Sequence, residues 1–175
     1  MWRYTVAMPC FGFLRPHPEF AIHVAVSDQG IIRIGFGDDK PDPGWTQDDN
    51  HPLIQEARRQ LEKYFAGRLR QFDLPLDLEG TTFQRRVWNG LLAIPYGETR
   101  SYSQLAEEIG APRAARAVGS ANHANPVAIV VPCHRVIAAD GSLGGYGGGL
   151  YRKKFLLELE GGIRRQKPAD STRPL

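Results

Sequence analysis

Cysteine is scarce in this chain: there are two in 175 residues, Cys10 and Cys133, and no Cys-x-x-Cys. A disulfide scaffold is thereby excluded, and a bridge between two such distant thiols is not expected in a reducing cytosol. Structural zinc takes roughly four nitrogen or sulfur ligands at recognisable spacing. His17, His23 and His51 lie within reach of Cys10 but match no such spacing, so no metal and no cofactor are expected. Cys10 reads as a small hydrophobe of the N-terminal layer. Long apolar runs are also missing, and no stretch approaches the roughly 18–20 residues of a membrane span. Met1-Trp2-Arg3-Tyr4 lacks the basic-then-apolar layout of a secretory signal, which predicts a cytoplasmic protein with no membrane partner. Charge of one sign does not dominate either. A net +3 permits nucleic-acid binding without arguing for it, so the position of the basic residues matters more than their number.

What is present falls into two halves. Phe20–Val26 and Ile31–Phe36 are β-rich and flank Ser27-Asp28-Gln29-Gly30, a hairpin turn. Residues 37–52, crowded with Asp, Pro and Gly, predict a surface loop. A helical stripe through Leu53, Ala57, Leu61, Tyr64 and Phe65 follows, closed by Gly67. Residues 72–78 read as a further strand or an extended linker. Around Gly80 the character changes. Thr81 and Thr82 can cap a helix over 83–94 whose apolar side is Phe83, Val87, Trp88, Leu91 and Leu92. The domain boundary is placed between Leu78 and Thr82, which gives an N-terminal domain over 1–80, a C-terminal domain over 81–163 and a polar tail over 164–175.

Residues 101–109 form an amphipathic helix with Tyr102, Leu105, Ala106 and Ile109 on one side. After Gly110-Ala111, Pro112 suits the first position of a second helix over 113–122. That helix has a small-residue face and carries Arg113 and Arg116. A helix-turn-helix for DNA and an ordinary packed αα-corner both fit this pattern. Small residues let a backbone approach a groove, and the arginines can reach phosphates or enter the base stack.

The chemistry points to Pro132-Cys133-His134-Arg135. The β-branched run over 127–131, bounded by prolines, predicts a buried strand that Pro132 stops, delivering the thiol at its end. A buried structural cysteine is the plain alternative. Free cysteine is only a few per cent thiolate at neutral pH, so a base is needed. Neighbours in extended chain point to opposite sides, which predicts that His134 acts on Cys133 through a bridging water rather than directly. His134 needs a carboxylate to fix its tautomer. Glu98, Glu107, Glu108, Asp140, Glu158 and Glu160 are candidates. Glu160 has a slight edge, lying beside the apolar stripe Phe155, Leu156 and Leu159 of a C-terminal helix over 151–160. The run 140–149 holds too many glycines for a mere connector. Its backbone can approach a ligand closely, and Tyr146 can stack on a ring; no Gly-Lys-Ser/Thr ending makes it a P-loop.

In order along the chain stand Phe83-Gln84, Val87-Trp88, Ile94-Pro95-Tyr96-Gly97-Glu98-Thr99, Ser101-Tyr102, Ala115-Arg116-Ala117-Val118-Gly119, Asn125-Pro126, Pro132-Cys133-His134-Arg135-Val136-Ile137, Gly144-Gly145-Tyr146 and Leu156-Leu157 with Glu160-Gly161. This set strongly resembles the O6-alkylguanine-DNA alkyltransferases over about 83–161. The resemblance implies an α+β two-domain protein. Its N-terminal domain would be ribonuclease-H-like with an antiparallel sheet, and its C-terminal domain mostly helical, winged-helix-like, with a helix-turn-helix. Met8-Pro9-Cys10-Phe11-Gly12-Phe13 and the proline-rich run from Arg15 to Pro18 match the family's opening only loosely.

The implied activity is direct-reversal DNA repair. O6-alkylguanine, and also O4-alkylthymine, would be flipped from double-stranded DNA and its alkyl group moved irreversibly to Cys133, once per molecule. By the family pattern Cys133 is the acceptor, His134 its water-mediated base and Glu160 the orienter. Asn125 braces the hinge, and Tyr102 donates to the leaving base. Arg116 fills the gap in the stack, and Tyr102, Ala115, Gly119, Ser120 and Arg135 join it at the DNA. Tyr146, Gly147, Val136 and Gly144 form the base pocket. The partner would be duplex DNA held through its minor groove by a monomer, with cooperative assembly left open. Among rivals, non-catalytic relatives lack the cysteine that is present here. A turning-over cysteine hydrolase needs a direct Cys–His contact, and a plain DNA-binding regulator leaves the thiol unexplained.

Overall fold

The computed structural model describes residues 8–37 and 42–162. The predicted tail over 164–175, the first residues used to judge a signal, and part of the 37–52 loop lie outside them. Strands β1 (Cys10–His17), β2 (Phe20–Val26), β3 (Ile31–Phe36) and β4 (Thr46–Gln47) form one sheet in the order β3-β2-β1-β4. β1 and β3 both run antiparallel to β2, while β4 joins β1 in parallel, so the expected antiparallel sheet has one parallel edge. The hairpin lies where its turn residues put it, closed by Ser27 N donating to Gly30 O at 2.9 Å. β1 carries no clean turn-bounded pattern, because Pro16 interrupts it. The register shifts between Leu14 and His17, where proline has no N–H to give the ladder.

Helix α1 (Pro52–Phe65) covers the sheet with Ile54, Ala57, Leu61 and Tyr64 fully buried. Leu53, read as part of that stripe, is only half-buried. Residues 72–78 are the extended linker, touching the sheet through a bridge between Ile31 and Leu76.

The second half is helical. α2 (Thr82–Leu92) and α3 (Tyr102–Glu108) both begin on a full capping box, Thr81 with Gln84 and Ser101 with Gln104. Each such cap is worth about 1 kcal/mol, and both are visible as Thr-x-x-Gln or Ser-x-x-Gln in sequence. Leu92, placed on the apolar side, is exposed. α4 (Ala115–His123) starts later than expected. Pro112 and Arg113 instead occupy a turn closed by Ala114 N donating to Ala111 O at 2.8 Å, since proline suits that turn as well as a first helical position. Trp88 Nε1 donates to Ala121 O at 2.9 Å and pins α4 to α2. Two-residue strands β5 (Arg100–Ser101) and β6 (Val136–Ile137) pair in parallel, and α5 (Leu150–Glu160) closes the described chain. No helix of the described residues is long and apolar enough to cross a membrane.

Candidate active site

The run 127–131 is not a strand. Only Val127 bridges to the sheet, at Ile34, and the residues after it form turns, with Val131 N donating to Val127 O at 3.0 Å. Asn125 explains why. Its Nδ2 donates to Val131 O at 2.8 Å and its Oδ1 accepts from Val127 N at 3.0 Å. The side chain therefore supplies the bonds a ladder would have supplied. Ile129 adopts a left-handed φ of 71° inside this turn, a conformation that costs a β-branched residue of order 1–3 kcal/mol. Its burial among other apolar residues offsets that cost.

Cys133 then opens a 3-10 turn, Cys133–Arg135. At three residues per turn, successive side chains fan apart by a third of a circle, so the extended-chain argument for opposite faces does not apply. Cys133, His134 and Arg135 are all buried.

Behind the thiol stands a carboxylate with five donors. Glu160 Oε1 accepts from His134 Nε2 at 2.8 Å, Tyr64 Oη at 2.6 Å and an Arg135 terminal nitrogen at 3.0 Å. Glu160 Oε2 accepts from Arg135 Nε at 2.9 Å and Gly97 N at 3.3 Å. Gly97 has a φ of +81°, and a Cβ there would lie 2.8 Å from Glu160 O, so only glycine brings this loop so close. A carboxylate at a helix C-terminus opposes the macrodipole; the guanidinium more than offsets this. Burial alone pushes the Glu160 carboxyl up, but its bonds to His134 and Arg135 and their charges hold it well below the usual range. An ionised carboxylate only accepts, so His134 Nε2 carries the proton and Nδ1 the lone pair. His134 Nδ1 is buried and has no hydrogen-bond partner among the described residues, so the thiol is not bonded to it directly. Burial lowers the His134 imidazole below its ordinary value, against the pull of Glu160.

Acid lability follows from both groups. The unfolded chain takes up protons at His134 from about pH 6.5 downward and at Glu160 from about pH 4.5, where the folded protein resists them. Stability conferred by these two groups is complete above pH 6.5 and is lost as pH falls through the folded-state values. Melting curves at pH 7.5, 6 and 5 are expected to show a steadily falling midpoint; a flat or rising midpoint would contradict the assignment.

Cys133 forms the floor of a cavity of about 580 Å³. Burial raises its thiol above the ordinary value, while Asn125, the Lys153 ammonium and Tyr146 act to lower it. Tyr146 Oη is buried, and burial followed by the charge of Cys133 pushes its phenol well up. Lys153, wholly buried, donates to Val136 O at 2.6 Å, to Gly145 O at 3.4 Å and to Leu143 O. Burial brings its ammonium down to about 8. It ties the glycine loop to the strand after the cysteine.

Of the residues chosen from sequence, Cys133, Asn125, Tyr102, Gly119, Tyr146 and Gly147 line this cavity, with His134 and Glu160 behind it. Gly144 packs under Tyr102, where a Cβ would meet the Tyr102 hydroxyl at 3.4 Å. Val136 is buried in β6; its carbonyl is already shared with Lys153. Arg116 and Ser120 are exposed on α4, and Ala115 is half-buried. Arg135, expected at the DNA, is a correction. It turns inward to Glu160 and to Ile94 O at 2.6 Å, because a buried carboxylate needs a fixed cation more than a phosphate does.

Sequence reasoning missed Tyr64, Asn122, Lys153, Phe36 and Arg152. Asn122 follows Val118 by one helical turn, both facing inward, and its Nδ2 reaches Cys133 O at 3.4 Å. Lys153 hides in a helix with other cations. Phe36 comes from the far end of β3 to the cavity, with the Arg152 guanidinium 5.0 Å above its ring.

Cys133 is thus a buried thiol with an imidazole held off it, and it lines one cavity with Tyr102 of α3 and Gly119, Asn122 and His123 of α4. The family model for the 6-O-methylguanine DNA methyltransferase DNA binding domain matches residues 82–162, and that for the ribonuclease-like domain matches 20–78. A methylated-DNA–protein-cysteine methyltransferase of Mycolicibacterium paratuberculosis is 62% identical over 129 residues, 74% of this chain and 75% of that one. One from Methanosarcina acetivorans is 52% identical over 149 residues, 82% and 94% of the two chains. The crystal structure of Mycobacterium tuberculosis OGT in complex with DNA superposes with a TM-score of 0.81 at 49% identity, covering 87% of this chain and 92% of that one. The chain belongs to the methylated-DNA–protein-cysteine methyltransferase family.

Proposed function

We propose that this chain reverses DNA alkylation directly, with Cys133 as the acceptor of an alkyl group from O6-alkylguanine and, on the same chemistry, O4-alkylthymine. The observation that carries the reading is the orphaned lone pair of His134 Nδ1, set by the bond from Nε2 to Glu160. Burial keeps the resting thiol protonated, so it needs a base at the moment of attack. His134 Nδ1 takes the proton through a bridging water; a site with two to four polar groups is what such a water requires. The sulfur then forms its bond to the alkyl carbon as the carbon–O6 bond breaks. The electron pair of that bond goes to the base, which Tyr102 neutralises by donating its phenolic proton. Tyr102 recovers its proton from the relay. A thioether has no leaving group that water can displace easily, so each molecule acts once.

The reaction needs the base outside the stack, because a duplex hides O6 from any side chain. α4 fits the minor groove: its Ala115, Gly119 and Ser120 side is small, and Arg116 is free to occupy the space the base leaves. In this reading Asn125 braces the turn before Cys133, Tyr146, Gly147 and Gly144 shape the base pocket, and Val136 reads a base edge with its remaining carbonyl lone pair. The 1–80 and 81–163 domains, the winged-helix likeness of the second, a monomeric state and a cytoplasmic setting complete it.

Duplex DNA bearing one O6-methylguanine, mixed with excess protein, tests the reading by intact mass. One methyl per molecule on Cys133, with no second round when more DNA is added, is expected. Continued turnover, or binding with no mass change, would sink it.

A further inference from the structure

The relay assigned above uses His134 and Glu160, both in the second half of the chain. One polar group from the first half reaches the same carboxylate. Tyr64 sits in the last turn of α1 with no exposed surface, and its hydroxyl lies 2.6 Å from Glu160 Oε1, the oxygen that also holds His134 Nε2. Its ring is locked by Phe65, Phe72 and Tyr96, at centroid distances of 5.4, 5.3 and 6.1 Å. The hydroxyl therefore has little freedom to swing away. Nothing in core packing alone requires a phenol here; phenylalanine would fill the same space without a polar group to satisfy.

We propose that Tyr64 is a positioning residue for alkyl transfer. By donating to Glu160 Oε1 it holds the carboxylate in line with His134 Nε2 and makes the helix that covers the N-terminal sheet part of the acceptor site. The proposal rests on His134 being the base. The groups around Glu160 are His134 and Arg135 from the 3-10 turn, Tyr64 from α1, and Tyr96 and Gly97 from the loop after α2. Arg70 faces Tyr96, and Lys153 and Tyr146 act from further off. Only Tyr64 among these tyrosines donates to the carboxylate; Tyr96 Oη donates to Leu159 O at 3.2 Å. Loss of the Tyr64 donor leaves more negative charge for the imidazole to feel. His134 then holds its proton more tightly and serves as a base only at higher pH.

The test is the rate of methyl transfer from O6-methylguanine duplex for Tyr64→Phe, His134→Gln and the double variant, each from pH 5.5 to 9. Tyr64→Phe is expected to slow transfer about ten-fold at neutral pH, the scale of one hydrogen bond to a charged group. Its acid-side midpoint should move up, with DNA affinity unchanged. In the His134→Gln background the same change should add nothing. A singly fluorinated tyrosine at position 64, a stronger donor of the same shape, should move the midpoint down, and it reports even where Tyr64→Phe folds poorly. Equal losses in both backgrounds, or a slower rate with no movement of the midpoint, would assign Tyr64 to packing alone. If His134→Gln by itself reacts at the native rate, the relay reading fails, and that result is distinct from either.

Discussion

Cys133→Ser is expected to bind alkylated duplex DNA as the native protein does and to take up no alkyl group. The oxygen and sulfur side chains are close in size, so the cavity floor and the Asn125 turn are kept. The chemistry is not. A serine hydroxyl is far less acidic than a thiol, and the His134 imidazole, already lowered by burial, is too weak a base to strip it. Loss of the nucleophile in enzymes costs on the order of a million-fold in rate, which here means no product in any practical assay. In the proposed reading DNA affinity comes from α4 and its surroundings rather than from the thiol. Anisotropy with a labelled duplex should therefore give equal binding curves for the two proteins, beside an intact mass that does not change. Alkyl uptake by the serine variant at any other residue would overturn Cys133 as the acceptor.

Glu160→Leu should be the most destabilising single change in the second half of the chain. The carboxylate is buried and serves five donors. Its loss strands the Arg135 guanidinium in the interior beside Tyr96 and leaves Tyr64 Oη, His134 Nε2 and Gly97 N without their acceptor. Breaking one side of a buried pair costs about 3–5 kcal/mol, and for a chain of this size that corresponds to a drop of roughly 10 °C in melting temperature. Replacing Arg135 as well, by methionine, should return much of the loss, since the pair then leaves together. Urea titrations of the single and double variants decide the matter. A single variant within about 1 kcal/mol of native would mean that water reaches this network. Transfer activity should fall in both variants, because His134 has lost what fixes its tautomer.

Local signals were legible wherever a residue and its neighbours decide the geometry. Ser27 to Gly30 marks the hairpin. Thr81 with Gln84 and Ser101 with Gln104 mark helix starts as full capping boxes. Pro132-Cys133-His134 marks the thiol and its imidazole, and the ordered motifs from Phe83 to Gly161 define the family. Where a side chain competes with the backbone, the pattern misled. The apolar run 127–131 has the composition of a buried strand, yet Asn125 claims the bonds that pairing would need. β1 escaped notice because Pro16 breaks its alternation.

Sequence alone thus supplied the family and the candidates for its chemistry: the Cys133 thiol, the His134 imidazole beside it and a helix pair for DNA. Those candidates stand at short spacing, and their roles follow from the ordered motifs that resemble the family. Tertiary structure decided the charges and the supports. Arg135 could face a phosphate or a carboxylate, and only the buried position of Glu160, 25 residues away, turned it inward. Tyr64 is 96 residues from the carboxylate it holds, and Lys153 is 17 from the Val136 carbonyl it caps. A burial penalty and its compensation are properties of packed neighbours rather than of chain order, which is why no local pattern announced them.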